Sequence, residues 1–430
     1  MKRALTLAAS VLALAAAPAA AQDFVITNAT LATGDGSEPI ERGVVVVVDG
    51  KVAYAGPQAG AGAFETDTVY DVAGAWVTPG LVATVTTLGL ADVSGVSESN
   101  DVRPGSSPFN AALDVAPAIN PSSQHILVHR AAGITRAATV TSPAGSIFGG
   151  QGAIIDLGAD GQPVTRAKAF QVVAFGEGGA RLAGGSRVAT YVAFANALRE
   201  AQDFARGRWD AESAMLTRAD AEALGPVAAG EQALYVSVER ASDIRSVLGL
   251  KRDFPRLDLV LVGASEGWLV AREIAAAGVP VIADGLDDLP NSFEELASTQ
   301  SNVGRLAKAG VKVAINAATM ENPRNLNQYA GNLVALARIP GADGLSWGQA
   351  FAAISSVPAS ISGLGGKAGV LAPGSMGDVV IWDGDPLEVG SVPTKVFIDG
   401  VEQPLDNHQT RLRDRYRELD ESRLPEAFDW

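Results

Sequence analysis

Few residues of this chain have the type and spacing to do chemistry. His125 and His129 form an H-x-x-x-H pair in QHILVHR, and imidazoles four residues apart on a helix can share a metal. No glutamate completes a protease-type motif, so a helix packed outside the main body is the competing reading. Asn120 or Ser122 is the expected N-cap of that helix. His408 is the third and last histidine, in a polar tail that reads as surface. Ser265 satisfies the letters G-x-S-x-G in GASEG, between a strand-like and a helix-like run. A serine nucleophile needs a base within reach and no histidine is available there, so the match reads as coincidence. PAGSIFGGQGAIIDLG is rich in glycine but lacks the Lys-Ser/Thr of a phosphate loop, and reads as a tight loop leading into a β-run.

Parity along strands gives a further group. Side chains alternate across a strand, so Ser237 and Glu239 share one face in ALYVSVER, as do Asn316 and Ala318 in VAINAAT. With Thr87 at the end of an earlier strand, the residues Thr87, Ser237, Glu239 and Asn316 make a candidate polar pocket. Glu239 would anchor a ligand amine or act as a base there, unless Arg240 simply neutralises it. No catalytic residue and no metal ligand is assigned.

The elements that must position these residues are legible in outline. FVITNATL, GVVVVVDGKVAYAG and DVAGAWVTPG are β-type runs, with Asp49-Gly50 as a tight hairpin turn. GVLAPGSMGDVVIWDGDP and KVFIDGVEQ repeat that grammar near the other end, with Asp399-Gly400 echoing the first turn. Between them, strands are expected over 81–87, 135–140, 171–175, 234–239, 257–262, 279–283 and 311–315. Helices over 188–204, 241–248, 267–277 and 302–309 alternate with them. Such alternation implies an α/β fold with a parallel sheet closed as a (β/α)8 barrel. The expected organisation is a leader over 1–21, a small composite β-sandwich domain from 22–79 plus 370–405, a barrel over 80–369 and a tail with a helix over 406–430.

Composition excludes several functions. The 430 residues carry 48 acidic and 33 basic side chains, a formal charge of −15, which repels nucleic acid and anionic lipid. There is no cysteine, hence no disulfide, thiolate nucleophile or zinc-thiolate site. Lys2 and Arg3, an apolar run over 4–17 and small residues at Ala19 and Ala21 read as a secretory leader cleaved between Ala21 and Gln22, giving a periplasmic protein with no membrane span after cleavage.

The β-run ending in VTPGL, the barrel pattern and the exit GVLAPGSMGDVVIWDGDPL together resemble the amidohydrolase superfamily, most closely its imidazolonepropionase-like members. The resemblance covers nearly the whole chain after the leader. It implies hydrolysis of C–N bonds, in cyclic amides, dipeptides or related small molecules, with zinc or another divalent metal at the barrel mouth. It also implies metal ligands at particular positions, and these are empty here. The H-x-H pair after PGL falls on Val85 and Thr87, the later histidines on Ser237 and on Val262 or Gly263, and the aspartate on Ala318. The expectation is therefore a metal-free, degenerate member with no cofactor. It would act as a small-molecule binder or as the inactive partner of an active amidohydrolase paralogue, in a hetero- or homo-oligomer. The alternative is a hydrolase of C–N bonds with a non-standard site.

Overall fold

The computed structural model describes residues 21–62, 66–93, 95–316 and 322–417. Sixteen strands fall into two sheets among these residues. The first sheet takes β1 (Phe24–Leu31), β2 (Ile40–Val48), β3 (Lys51–Pro57), β4 (Val69–Asp71) and β5 (Trp76–Pro79) from one end of the chain. From the other it takes β14 (Val379–Trp382), β15 (Pro393–Ile398) and β16 (Val401–Glu402). Its order is β16-β15-β14-β5-β1-β2-β3, with β4 beside β1. The seam is the antiparallel pairing of β5 with β14, in which Trp76 opposes Trp382 and Pro79 opposes Val379.

The two Asp-Gly turns hold left-handed backbone at all four positions, φ 49° and 71° for Asp49 and Gly50, 49° and 77° for Asp399 and Gly400. Positive φ at both central residues is what a tight hairpin requires. The turns also meet. A Cβ on Gly400 would lie 2.8 Å from the Gly50 Cα, so the second turn must end in glycine.

The second sheet contains β6 (Leu81–Thr86), β7 (Ile134–Thr139), β8 (Phe148–Asp156), β9 (Val164–Ala174), β10 (Ala233–Val238), β11 (Leu259–Gly263), β12 (Val281–Asp284) and β13 (Val313–Asn316), in that spatial order. β13 comes back against β6, so the sheet is a nearly closed barrel. This is the barrel with accompanying β-domain that the sequence analysis expects. One strand departs from uniform alternation. β8, inside the glycine-rich stretch, runs antiparallel to both neighbours, and seven strands run parallel. Glycine serves β8 because a Cβ on Gly152 would lie 2.1 Å from the Phe170 ring of β9. The glycines make room for barrel packing.

Parity sorts the barrel side chains. Leu234, Val236 and Val238 of β10 pack outward with Leu259 and Leu261 of β11 against the helices. Phe170, Tyr235, Val260, Ile282 and Ala314 fill the lumen, where Phe170 and Tyr235 stack at 4.3 Å. Active residues of such barrels sit at the C-terminal strand ends, above a filled core. The helices that follow these strands begin where the sequence analysis places them, within a residue: Arg187–Ala205, Ala241–Gly249, Ala271–Ala277 after a 3-10 turn at Gly267–Val270, and Asn302–Lys308. Among the described residues, no helix is long and apolar enough to cross a membrane.

Candidate active site at the barrel mouth

Above the lumen residues Tyr235, Val260, Ile282 and Ala314, the next positions of the same parity are Ser237, Val262, Asp284 and Asn316, three of them polar. A cavity of about 200 Å³ opens there, lined by Glu239, Asp284, Asp287, Glu295 and Asn316 with Ser265, Val262, Gly263 and Ile282. Asp284 and Asn316 are register partners on β12 and β13, which sets them side by side. Glu239 follows β10 by one residue. Its Oε2 accepts hydrogen bonds from Ser265 Oγ at 2.7 Å and from the Ser265 backbone N–H at 3.0 Å. A Cβ at position 263 would lie 1.9 Å from Glu239 Oε1, so the carboxylate occupies space that only glycine leaves open.

Asp287 and Glu295 come from the loop between β12 and the helix Asn302–Lys308. Glu266 pins that loop: its carboxylate accepts from Ala297 N–H at 3.1 Å and from Ala241 N–H at 3.0 Å. Glu294, next along, accepts from Glu177 N–H at 2.7 Å and pairs with Arg187 at 3.0 Å. Arg187 also meets Asp243 at 2.9 Å. Arg240 turns to the same Asp243 at 3.4 Å and forms no ion pair with Glu239, so Arg187 and Arg240 are both committed to the rim.

Loss of solvent is the main cause of altered acidity here. Burial pushes Glu239 up to about 7, against the hydrogen bonds from Ser265 and with help from Glu295 and Glu294. Asp287 is pushed up to about 6 by burial and by the charges of Asp284 and Glu295. Asp284 is also raised, again by burial first. No lysine or arginine lines the cavity among the described residues. The arrangement can hold a positive charge, or exchange a proton at Glu239 near neutral pH.

Of the four residues read from parity, Glu239 and Asn316 line this cavity, and Thr87 and Ser237 do not. Ser237 lies one layer deeper, two residues below Glu239 and next to Tyr235 on the same face. Thr87 is displaced by Val85, whose φ of 51° is a rare conformation for a β-branched residue. The pairing of β6 with β7 loses register there, between Ala83 and Thr86. Thr86 Oγ1 turns instead to the Ala138 carbonyl and to Thr139 Oγ1, both at 3.0 Å. Ala318 lies outside the described residues. Asp284, Asp287 and Glu295 were not singled out in the sequence. Extending the alternation of β12 by one residue past Ala283 would have found Asp284, but the two loop carboxylates follow no period.

The donor set does not fit a catalytic zinc. Val85 packs with Ala138, Val140 and Val172 in the apolar lumen, Gly263 has no side chain, and Ser237 offers a neutral hydroxyl. Among the described residues, no three His, Asp or Glu side chains converge on one ion position. The helical histidine pair is also arranged otherwise. The helix Gln124–Ala131 is capped by Ser123, not Asn120 or Ser122, because Ser123 Oγ accepts from His125 N–H and donates to the Ala91 carbonyl. His129 Nδ1–H donates to the His125 carbonyl at 2.6 Å, and the rings stack with centroids 6.5 Å apart. Burial pushes His129 down to about 4, and its Nε2 is buried without a partner among the described residues. His408 lies 3.2 Å from Gln124 Oε1, close to the same helix.

Comparison with known proteins agrees with this architecture. The family model "Amidohydrolase family" matches residues 258–403. Amidohydrolase tasK of Hapsidospora irregularis is 24% identical over 407 residues, which are 85% of this chain but 39% of that protein. The chain thus spans about two fifths of that curated relative's length. Imidazolonepropionase of Caulobacter vibrioides is 51% identical over 55 residues, 13% of this chain and 14% of that protein. A solved amidohydrolase from Thermotoga maritima superposes with a TM-score of 0.77 at 22% identity, covering 88% of this chain and 99% of that one. Nearly closed barrel, two-ended β-domain and these matches together support an amidohydrolase-superfamily chain, similar over a short stretch to imidazolonepropionase.

Proposed function

We propose that this amidohydrolase-family barrel works without a metal and binds a small molecule bearing a protonated amine at its mouth. The observation that carries this reading is the lining of the cavity: Glu239, Asp284, Asp287 and Glu295 face one small space with no basic side chain among them. An ammonium group entering it would compensate the lost solvation that chiefly raises Glu239 and Asp287, and the lesser repulsion from their acidic neighbours, and such compensation is a source of affinity. Neutral Asn316 and Ser265 add hydrogen-bonding capacity for the rest of the ligand. Location in the periplasm, after removal of residues 1–21, belongs to the same proposal. The test is calorimetric titration of the mature protein with a panel of small primary and quaternary amines and matched neutral amides. Binding of amines that weakens at pH 5 supports the reading, and equal binding of the neutral set, or none at all, overturns it.

A second reading, as the inactive partner of an active paralogue or as a homo-oligomer, is favoured by a separate feature. The mouth loop exposes Leu289, Phe293 and Leu296, at 77%, 82% and 66% of their surface. Bulky apolar side chains clustered beside a binding site are what a partner surface covers. Affinity purification from the native host, followed by sizing, distinguishes a partnered chain from a lone one.

A further inference from the structure

The sequence match at GASEG lacks a histidine, yet the fold supplies a different base. β11 ends in two consecutive left-handed residues, Gly263 at φ 88° and Ala264 at φ 52°. Residues other than glycine seldom adopt that conformation, and here the bend turns Ser265 into the barrel-mouth cavity. Ser265 Oγ then lies 2.7 Å from Glu239 Oε2. Asn316 lines the same cavity and makes no side-chain hydrogen bond among the described residues, so its amide N–H is available to a ligand.

We propose that Ser265 is a nucleophile and Glu239 its general base, in a metal-free acyl transfer with Asn316 as donor to the developing oxyanion. The substrate is an amide or ester whose acyl group carries a positive charge. That last clause rests on the amine-binding reading above, and the dyad itself does not. In the first step the Ser265 Oγ–H proton passes to Glu239 as Oγ bonds to the acyl carbon. The C–N or C–O bond then breaks, and the leaving group takes the proton from Glu239. In the second step water attacks the acyl-serine as Glu239 accepts its proton, the acyl–Oγ bond breaks, and Glu239 returns the proton to Ser265 Oγ, which releases the carboxylic acid and restores both residues. No oxidant, metal or further reactant is consumed. A carboxyl group raised to about 7 suits this exchange, because a base titrating near the working pH gives and takes a proton with the least loss.

A purely structural role competes with this. Oε2 also accepts the Ser265 backbone N–H, so Glu239 could serve only to hold the turn. The experiment must separate the two. The mature protein is treated with a neutral alkyl fluorophosphonate, which transfers its phosphonyl group to an activated serine with loss of fluoride, and the adduct is mapped by mass spectrometry. Hydrolysis of p-nitrophenyl acetate is compared with that of a p-nitrophenyl ester bearing a trimethylammonium group. The expected results are an adduct on Ser265, none in Ser265→Ala, labelling slowed on the order of 10²-fold in Glu239→Gln, and preference for the cationic ester. Asn316→Ala, outside the turn, slows acyl transfer with the unfolding temperature unchanged. Labelling of Glu239→Gln at the wild-type rate, or turnover surviving in Ser265→Ala, overturns the dyad and leaves Glu239 as a turn anchor. Amine binding without any Ser265 adduct overturns the dyad and spares the binding reading, whereas an adduct with no preference for cationic ligands does the reverse.

Discussion

Two carboxylate clusters among the described residues, one around Arg136 and one at the barrel mouth, are built on opposite principles. Where the β-domain meets the barrel, Arg136 of β7 reaches Asp378 with two bonds of 2.8 Å, Asp399 at 2.7 Å and Asp156 at 3.9 Å. Burial opposes the charge on both Arg136 and Asp378, yet their contact holds the guanidinium charged and keeps Asp378 below the usual carboxylate range. At the mouth, Glu239, Asp284, Asp287 and Glu295 have no such cation, and burial drives Glu239 and Asp287 toward their protonated forms. A paired cluster ties two sheets together. An unpaired one costs stability and persists where the missing charge comes from outside.

The sharpest way to break this comparison is to remove the arginine. Arg136→Leu leaves buried Asp378 and half-exposed Asp399 without an opposite charge, and is expected to cost about 3–5 kcal/mol in urea unfolding. A loss under about 1 kcal/mol would mean that the interdomain cluster is not the tie described here.

The mouth should respond with the opposite sign. The folded acidity constant of Glu239 lies above its ordinary value, so its protonated form favours the fold. That stability is fully present below pH ~4.5 and is lost as the pH rises to about 7. Glu239→Gln should therefore be more stable than the native chain by roughly 2–3 kcal/mol at pH 8, with little difference at pH 4. Thermal unfolding at the two pH values measures this, and a destabilised variant at pH 8 would refute the account of an unpaired charge.

Between these lies His129, neutral and buried on its helix. Its lowered value favours the fold above pH ~6.5, with stability lost as the pH falls toward about 4. His129→Leu should flatten that acid limb by about 2 kcal/mol, as followed by circular dichroism from pH 7 to 4. The smallest effect is expected from the exposed pair Arg245 and Glu273, 3.1 Å apart, where double replacement by alanine should cost under about 1 kcal/mol.

Much of the fold could be read from residues alone. Asp49-Gly50 and Asp399-Gly400 specify hairpin turns by local backbone preference, and the strands Val281–Asp284 and Val313–Asn316 announce themselves as short apolar runs bounded by turns. β8 was legible only in part, as a β-run after a glycine loop, because the glycines that belong to the strand look like a loop, and the reason for them, the Phe170 ring, is a contact between strands. The site divides in the same way. Glu239 and Asn316 followed from parity, whereas Thr87 failed because the left-handed Val85 breaks the alternation on which parity depends.

The sequence by itself determined which side chains are available: three histidines, no cysteine, no ligand at the family's metal positions, and strands of fixed inward and outward faces. These are matters of residue type and of a two-residue period, and both are local. Only the tertiary structure decided which of the remaining polar groups meet. Ser265 and Glu239 are 26 residues apart and just past the ends of successive strands, and Asp287 and Glu295 reach the mouth on a loop held by Glu266. Barrel closure and loop anchoring set those encounters, and both depend on contacts between residues far apart in the chain.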